Sequence, residues 1–236
     1  MIKDKTLDDF RQVDKLEERE SNLTIFDKFV FRPIGTLIAY ALYKYTSVSP
    51  NQITLFSVLT SVSAGLALVF GEINLAIFLF LIFPILDCSD GTLARVLKTG
   101  NDFGVVVDAM GGYSFISIFW LSIAIYERQT GNFLSEYLAL SIMIINLWCR
   151  LYLNKKRSVL AAFAPQEKKN NQRRSKLYNI YENIEFGSAQ IPLFSILVYI
   201  DKIIIFIGIY FVVSFMLFMW TMNDMMRSGG SLNVSD

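Results

Sequence analysis

The sequence predicts an all-α integral membrane protein with six transmembrane helices and an N-terminal interfacial amphipathic helix. Its 236 residues are 53% hydrophobic with a mean hydropathy of +0.43, and apolar runs long enough to cross a bilayer recur between short polar segments. The chain contains no His and only two Cys, which excludes imidazole-based catalytic dyads and a thiolate zinc site. Any bound metal must therefore have oxygen ligands.

The N-terminal part of the chain precedes the first long apolar run. Residues 1–23 carry 12 charged side chains, which excludes a signal peptide and predicts a solvated, partly helical tail that starts in the cytosol. Residues 24–46 place apolar side chains at helical spacing beside charged ones, as in a helix that lies in the membrane interface. A transmembrane span is the alternative interpretation, although Ile34–Tyr43 alone is too short for the ~30 Å hydrocarbon core.

Long apolar runs predict the membrane spans. The first four are Gln52–Phe70, Ile73–Val96, Phe103–Tyr126 and Phe133–Leu153. Each is about one bilayer thick at ~1.5 Å per residue. The triplet Ser49-Pro50-Asn51 provides the start of the first span. Residues 191–220 are too long for one untilted span and carry Asp201-Lys202 in the middle, so they predict two short helices as the fifth and sixth spans.

The charge distribution predicts the orientation in the membrane. Residues 155–176 contain eight basic side chains and a single acid, so the positive-inside rule places the segment 155–185 in the cytosol. Contact with anionic headgroups explains this charge better than nucleic acid does, and no nucleic-acid partner is predicted. A cytosolic start and a cytosolic basic loop require an even number of crossings between them, which the four predicted spans provide. Residues 223–236 are predicted as a flexible C-terminal tail.

Three aspartates lie in otherwise apolar predicted spans. Near the bilayer centre, Asp87, Asp90 and Asp108 would each cost about 2.5–3.5 kcal/mol on the insertion scale, so their presence indicates a function. Asp87 and Asp90 are three residues apart on one helix face, and Asp108 lies near the start of the next, antiparallel span. All three can therefore meet in a cavity open to the cytosol. Since facing carboxylates repel one another unless a cation lies between them, they predict a Mg²⁺ or Mn²⁺ site.

Small residues beside these acids indicate the ligand. Gly91 and Ala94 continue the face that carries the first two aspartates, and Gly104 lies four residues before the third. Mg²⁺ with few protein ligands usually completes its coordination with substrate phosphates, so a nucleotide diphosphate fits the site. The alternatives are that the acids pair with Lys or Arg inside the bundle, or line an ion path as in a transporter.

These residues form a recognisable motif. It reads Asp87-Cys-Ser-Asp90-Gly91-Thr-Leu-Ala94-Arg95, then Gly104 after eight residues and Asp108 after three more. This pattern resembles the signature of the CDP-alcohol phosphatidyltransferase family, with seven fixed positions in order over 22 residues. Residues 49–54, Ser-Pro-Asn-Gln-Ile-Thr, are similar to the element that opens the first span in that family. The resemblance implies a membrane phosphotransferase domain at residues 24–222, with the interfacial helix at 24–46 and the basic loop at 155–185.

The resemblance implies metal-dependent transfer of a substituted phosphoryl group, often phosphatidyl, from a CDP-alcohol to an acceptor hydroxyl, with release of CMP. Such a reaction belongs to phospholipid or related glycolipid synthesis. It also implies Mg²⁺ or Mn²⁺ as cofactor, a CDP-linked lipid or alcohol as donor, surrounding membrane lipids, and favours a homodimer. The implied metal ligands are Asp87, Asp90 and Asp108, and the implied substrate-binding residues are Asn51, Thr54, Gly91, Ala94, Arg95 and Gly104. Arg95 lies ~12 Å along the helix from Asp87, so anchoring the helix end is its alternative role.

One position departs from the signature. The family carries a fourth aspartate four residues after the third, generally taken as the base that deprotonates the acceptor, and Gly112 stands there in this chain. Loss of a positioned base removes about 10²–10⁴-fold in rate, which is less than metals and positioning supply, so activity is not excluded. Beside Gly112 we predict a wider acceptor pocket, suited to a bulkier or differently charged acceptor.

Three interpretations of this departure remain open. The acceptor oxygen is already ionised or metal-bound and needs no base; another group such as Tyr113, Asp102 or Glu185 acts as the base; or the protein is a catalytically inactive CDP-lipid-binding pseudoenzyme. Asp108 and Tyr113 are the candidate catalytic residues, although a phenol is a poor base at neutral pH. An ion-coupled transporter is the least favoured alternative.

Overall fold

The computed structural model describes residues 4–20, 26–100, 102–163 and 189–230. Within these ranges the regular elements are helices, which confirms the all-α prediction. In chain order they are α1 Leu7–Glu20, α2 Arg32–Tyr45, α3 Pro50–Val69, α4 Ile73–Leu97, α5 Asp102–Gln129, α6 Phe133–Phe163, α7 Gln190–Tyr199 and α8 Ile203–Gly230. A π-helical turn, Asp27–Phe31, leads directly into α2.

Five helices of the described ranges are long and apolar enough to cross a membrane, which indicates a multi-pass membrane protein. They are α3, α4, α5, α6 and α8, and they correspond to the first four predicted spans and the sixth. The fifth predicted span is α7, whose 10 described residues cover only ~15 Å, about half of the hydrocarbon core. The chain turns between α7 and α8 at Asp201-Lys202, as predicted, and Asp201 adopts the left-handed conformation that Asp tolerates, with φ +55°.

Local sequence signals explain the helix boundaries. A capping box begins α3, in which the Ser49 backbone N–H donates to Gln52 Oε1 at 2.8 Å, and Pro50 occupies the first helical position. Gly71, with φ +80°, ends α3, and Gly131, with φ +86°, lies between α5 and α6. Glycine adopts this left-handed conformation without a steric penalty. The two short turns make α3 with α4, and α5 with α6, adjacent antiparallel pairs.

Aromatic side chains form the centre of the helix bundle. Phe80 of α4 is fully buried, and its ring meets those of Phe115, Phe119 and Phe194 edge-on at centroid distances of 4.9–6.4 Å. Phe194 also meets Phe206 of α8 at 5.5 Å. Edge-to-face ring pairs contribute stability beyond the area that they bury. The short helix α7 is therefore held in the core between α4, α5 and α8.

The N-terminal segment differs from the predicted solvated tail. It is partly helical as predicted, but α1 packs on α2 and α4. Phe10 is fully buried, with ring centroids 5.6 Å from both Tyr40 and Tyr43. The high charge of this segment concealed a narrow apolar face formed by Phe10 and Val13, which are three residues apart. Helix α2 has 14 residues and is not among the helices long enough to span, and its interfacial location stays a prediction.

Two segments predicted as irregular, the basic loop 155–185 and the tail 223–236, begin with residues that are helical in the structure. Helix α6 continues to Phe163, so residues 155–163 of the predicted basic loop are helical, and residues 164–185 lie outside the described residues. Helix α8 continues to Gly230, so the prediction of a flexible tail is wrong for residues 223–230. Asp224 contacts Lys156 and accepts a hydrogen bond from the Tyr152 hydroxyl at 2.9 Å, which holds the two helix ends together.

Candidate metal and substrate site

Helices α4 and α5 bring the three predicted metal ligands together. One carboxylate oxygen from each of Asp87, Asp90 and Asp108 lies within 4.8 Å of the other two, so the predicted convergence is observed. Oxygen ligands at ~2.1 Å from one Mg²⁺ lie up to ~4.2 Å apart, so a small side-chain adjustment closes the set around an ion. Asp90 is buried, Asp87 is half-buried and Asp108 is exposed, which leaves one side of the cluster accessible.

Four carboxylates and two arginines determine the electrostatics of this region. Asp87 interacts with the other two aspartates of the cluster and with Asp27 of the π-helical turn. Arg150 of α6 also interacts with Asp87, and Arg95 interacts with Asp90. Three of these carboxylates converge within 4.8 Å, which concentrates negative charge inside a largely apolar bundle. This charge favours a divalent cation, whose binding would relieve the repulsion between the carboxylates.

Helix α3 contributes a hydrogen-bond donor to the cluster. The Thr54 hydroxyl, 4% exposed, donates to Asp90 Oδ2 at 2.5 Å and thereby fixes the orientation of that carboxylate. Gly111 allows the close approach of α5 that this arrangement needs, because a Cβ at Gly111 would lie 3.0 Å from Thr54 Cγ2. Thr54 therefore lies beside the carboxylates as predicted, and its contact is with the acid itself.

A cavity of about 510 Å³ opens beside the carboxylates. The residues that line it come from the segment 47–54, from α4 and from the start of α5 with its preceding linker. All six predicted substrate-binding residues are among them: Asn51, Thr54, Gly91, Ala94, Arg95 and Gly104. Asp90 and Asp108 line the same cavity. One continuous cavity is therefore lined by predicted residues that are up to 57 positions apart along the chain.

The guanidinium of Arg95 folds back towards the acids. A Cβ at Gly91 would lie 3.3 Å from Arg95 Nη1, so the group lies directly over this glycine. Arg95 Nη2 donates to Thr92 Oγ1 at 3.3 Å. Although its Cα lies two turns from Asp87, Arg95 thus lines the cavity and also contacts its own helix.

The space beside Gly112 is filled, so the predicted wider pocket at this position is wrong. A Cβ at Gly112 would lie 2.7 Å from Arg150 Nη1 and 3.4 Å from Cζ. The guanidinium of Arg150 therefore stands next to the position of the missing fourth carboxylate, and it also interacts with Asp87. A cation thus occupies the region in which the family signature has an acid.

The proposed replacement bases have different positions. The Tyr113 hydroxyl accepts a hydrogen bond from Asn154 Nδ2 at 2.6 Å and is not among the described residues that line the cavity. Asp102 is the first residue of α5, but its side chain lies outside what the structure describes. Glu185 lies outside the described residues altogether.

Sequence reasoning missed three charged residues near the site. Arg150 lies inside the predicted fourth span, and an ionisable side chain at such a position was itself a signal. Asp27 and Asp14 lie in the charged N-terminal region, where nothing in the sequence distinguished them from solvated acids. Their proximity to the site depends on how that region packs.

The fold and the site define a class of protein: a multi-pass membrane protein with a cluster of three carboxylates, two of which, Asp90 and Asp108, line a cavity between helices. The chain belongs to the CDP-alcohol phosphatidyltransferase family, whose sequence model matches residues 47–226. A comparison with curated proteins gives no match to this chain. The family consists of phosphotransferases that use a divalent metal and transfer a phosphoalcohol from a CDP-alcohol to a hydroxyl acceptor in lipid synthesis. Helices α1 and α2 both lie outside the matched residues.

Proposed function

We propose that the protein transfers a substituted phosphoryl group, specifically phosphatidyl, from a CDP-alcohol to an acceptor hydroxyl and releases CMP, in phospholipid or related glycolipid synthesis. The observation that carries this proposal is the cluster of Asp87, Asp90 and Asp108 within 4.8 Å, beside a cavity lined by the small residues of the signature. The matched family supports the donor class and the reaction type.

The three aspartates would hold Mg²⁺ or Mn²⁺, since hard cations prefer carboxylate oxygens. When bound, the metal polarises phosphoryl oxygens and neutralises charge on the departing CMP. Gly91, Ala94 and Gly104 leave room for the cytidine and diphosphate against the backbone. The remaining donor contacts are assigned to Asn51, Thr54 and Arg95, all of which line the cavity.

The acceptor oxygen would attack the phosphorus that carries the alcohol, and the bond from that phosphorus to the CMP oxygen would break. The acceptor proton then needs a destination, because Gly112 offers no base. Arg150 beside Gly112 supports the interpretation that the acceptor oxygen is already ionised and needs no base. A guanidinium at this place favours an ionised or anionic group next to it. Tyr113, Asp102 and Glu185 remain the alternative candidates for proton transfer.

We further propose that the site faces the cytosol. Lys155 and Lys156, at the end of the spanning part of α6, are basic residues of the segment that the positive-inside rule assigns to this side. The linker Lys98–Asp102, which borders the cavity through Thr99 and Gly100, would lie at the same surface. Membrane lipids surround the spans, and a homodimer stays a prediction of the family resemblance.

A second candidate function is a pseudoenzyme that binds CDP-lipid without turnover. The cation at the position of the fourth carboxylate is the observation that favours it, because the Arg150 guanidinium cannot accept a proton. An ion-coupled transporter would use the same acids without a nucleotide, and the cavity lined by signature residues favours it less.

CMP release separates these functions. Purified protein would be incubated with CDP-diacylglycerol, Mg²⁺ or Mn²⁺ and a panel of hydroxyl acceptors with and without a phosphate group. Wild type and the matched control Asp201→Asn, which changes an exposed acid in the α7–α8 turn, are expected to release CMP. No CMP release is expected from Asp87→Ala, or from wild type after a chelator has removed the divalent metal.

The remaining outcomes identify the alternatives. Thermal stabilisation by CDP-diacylglycerol without turnover would overturn the enzyme proposal in favour of the binder. Activity towards simple alcohols that appears only in Gly112→Asp would show that the native chain lacks only its base. If CDP-diacylglycerol causes neither stabilisation nor turnover in any variant, this result would favour the transporter.

A further inference from the structure

The N-terminal helix α1 places a buried carboxylate next to the signature helix. Asp14 is 8% exposed and belongs to a segment outside the residues matched by the family. Its side chain contacts both neighbouring helices: Thr36 and Arg32 of α2, and Thr92 and Arg95 of α4. Burying a carboxylate costs free energy unless it is paired and hydrogen-bonded, so these contacts between α1, α2 and α4 indicate a specific role for Asp14.

The contact between Asp14 and α4 is a short relay. The Thr92 hydroxyl donates to Asp14 Oδ1 at 2.8 Å, and the same hydroxyl oxygen accepts a hydrogen bond from Arg95 Nη2 at 3.3 Å. Arg95 Nη2 also lies 4.0 Å from Asp14 Oδ1, which makes a direct ion pair. Thr92 is 1% exposed and the Asp14 side chain 11% exposed, whereas the Arg95 side chain is 36% exposed, so the relay runs from buried groups to the open cavity and its Asp14–Thr92 part is shielded from water. The electrostatic interaction is stronger here than between exposed charges.

The relay ends at the cavity. Arg95 is part of the cavity wall together with Asp90 and Asp108, and its guanidinium lies over Gly91. Asp14 itself does not line this cavity. Among the contacts described for Asp14, those with Thr92 and Arg95 connect it to the cavity wall.

The position of Asp14 depends on the docking of α1. Phe10, one turn earlier on the same face, is fully buried and belongs to an apolar cluster with Ala39, Ile53 and Leu93. The start of α1 is capped by Asp9, whose carboxylate accepts hydrogen bonds from the Thr6 N–H and hydroxyl at 2.7 and 3.0 Å. These bonds lower the pKa of the Asp9 carboxyl below its usual value. A capped and packed helix holds its side chains in defined positions.

From this geometry we infer that Asp14 is a positioning residue for Arg95, so that the N-terminal helix completes the binding site for the CDP-alcohol donor. The inference rests on the proposed function, because Arg95 is assigned there to the donor. An arginine side chain loses rotamer entropy when it is ordered, and a partner that orders it beforehand removes this cost from ligand binding. By linkage, donor binding and docking of α1 favour each other.

The test compares donor kinetics of Asp14→Asn with those of Asp8→Asn. The control changes an acid on the exposed side of the same helix, where Asp8 is paired only with Arg11 at 3.5 Å among the contacts described for it. Asp14→Asn is expected to raise the KM for CDP-diacylglycerol about tenfold, the middle of the range for contacting residues, with kcat changed less than about threefold. Asp8→Asn should leave both values as in wild type.

Two further variants separate positioning from stability. Thr92→Val keeps the volume of the side chain and removes the bridging hydroxyl, so it should raise the donor KM in the same way even if Asp14→Asn folds poorly. Arg95→Gln is expected to raise the donor KM, and adding Asp14→Asn to it should change that KM less than about twofold, because the carboxylate acts through the arginine.

The outcomes distinguish this inference from the proposed function. If wild type releases CMP but neither Asp14→Asn nor Thr92→Val changes the donor KM, the positioning role is wrong and the enzyme proposal stands. Independent, multiplicative effects of Asp14→Asn and Arg95→Gln would also overturn it. If wild type neither releases CMP nor is stabilised by the CDP-lipid, the proposed function fails, and the inference fails with it.

Discussion

A carboxylate inside an apolar bundle needs a donor aimed at it, and Thr54 provides one for Asp90. The hydroxyl comes from a different helix, and its helix is brought close by Gly111. Hydrogen bonds to charged groups contribute about 1.5–3 kcal/mol, more than those between neutral groups. Thr54 should therefore tune the affinity of the cluster for its cation.

Thr54→Val tests this role. The substitution preserves shape and removes the donor, and loss of a residue that supports a metal ligand typically costs about 10–100-fold in metal affinity or activity. The Mn²⁺ concentration for half-maximal CMP release should rise by that factor. Thr60→Val, in the same helix but exposed and bonded to the Phe56 carbonyl, should leave it unchanged. Equal Mn²⁺ dependence in both variants would contradict a supporting role for Thr54.

Gly112 and Arg150 form the second pair at the residue scale. A methyl group at Gly112 would lie 2.7 Å from Arg150 Nη1, so the guanidinium must move. Gly112→Ala should therefore weaken the acceptor step, with an acceptor KM raised about tenfold, as expected for a coupled contact. Gly208→Ala is the matched control, because a Cβ at Gly208 meets nothing within 4 Å and alanine favours the helix. An unchanged acceptor KM in Gly112→Ala would show that Arg150 does not contribute to acceptor binding.

Gly112 and Arg150 also illustrate which contacts could not be predicted from the sequence. The absence of the fourth acid could be seen from spacing alone, and open space was the simplest expectation. Arg150 lies 38 residues further along the chain, on another helix, and its direction depends on the rotation of α6. Hydropathy and periodicity do not contain that information.

At the scale of elements, small residues decide how closely the spans approach. Gly65 of α3 faces α5, and a Cβ there would lie 2.8 Å from Ile118 Cγ2. Membrane helices associate through such small residues, because lipid provides little hydrophobic driving force between them.

Gly65→Ala should consequently destabilise the protein. The branched Ile118 side chain has few rotamers available, so the added methyl group separates α3 and α5 at a cost of about 1–3 kcal/mol. The melting temperature in detergent should fall, while Ser63→Ala, an exposed position on the same helix, should leave it close to wild type. A melting temperature of Gly65→Ala equal to that of Ser63→Ala would mean that the two helices can separate without cost.

The sequence predicted most helices correctly, because long apolar runs and turn signals are local properties. The first four predicted spans agree with α3 to α6, whose ends differ by a few residues except for the extension of α6. Two elements could not be predicted in the same way. The described part of α7 packs on aromatic rings from α4 and α8, and α1 docks through Phe10 and Asp14, two buried residues in a highly charged segment.

At the scale of the whole molecule, orientation determines which compartment supplies the substrates. The cavity and the α7–α8 turn are expected at opposite surfaces, because α4 and α5 meet at the linker beside the cavity and α8 starts from the other side. Charge counts favour the cytosol for the linker.

Thiol labelling tests this orientation. In a background with Cys88 and Cys149 replaced by alanine, Asp201→Cys should react with a membrane-impermeant reagent in intact cells. Gly100→Cys, in the linker, should react only after the membrane is permeabilised. The opposite pattern would place the cavity outside the cytosol and contradict the proposed compartment.

The sequence by itself determined the membrane class, the positions of most spans and the three carboxylates, because these depend on composition, apolar run length and spacing within one helical hairpin. The tertiary structure decided which distant side chains surround that cluster: Arg150 at Gly112, Thr54 at Asp90, and Asp14 behind Arg95. Such contacts depend on the rotation and crossing of helices that are far apart along the chain. Those quantities follow from packing of the whole bundle and have no local signature.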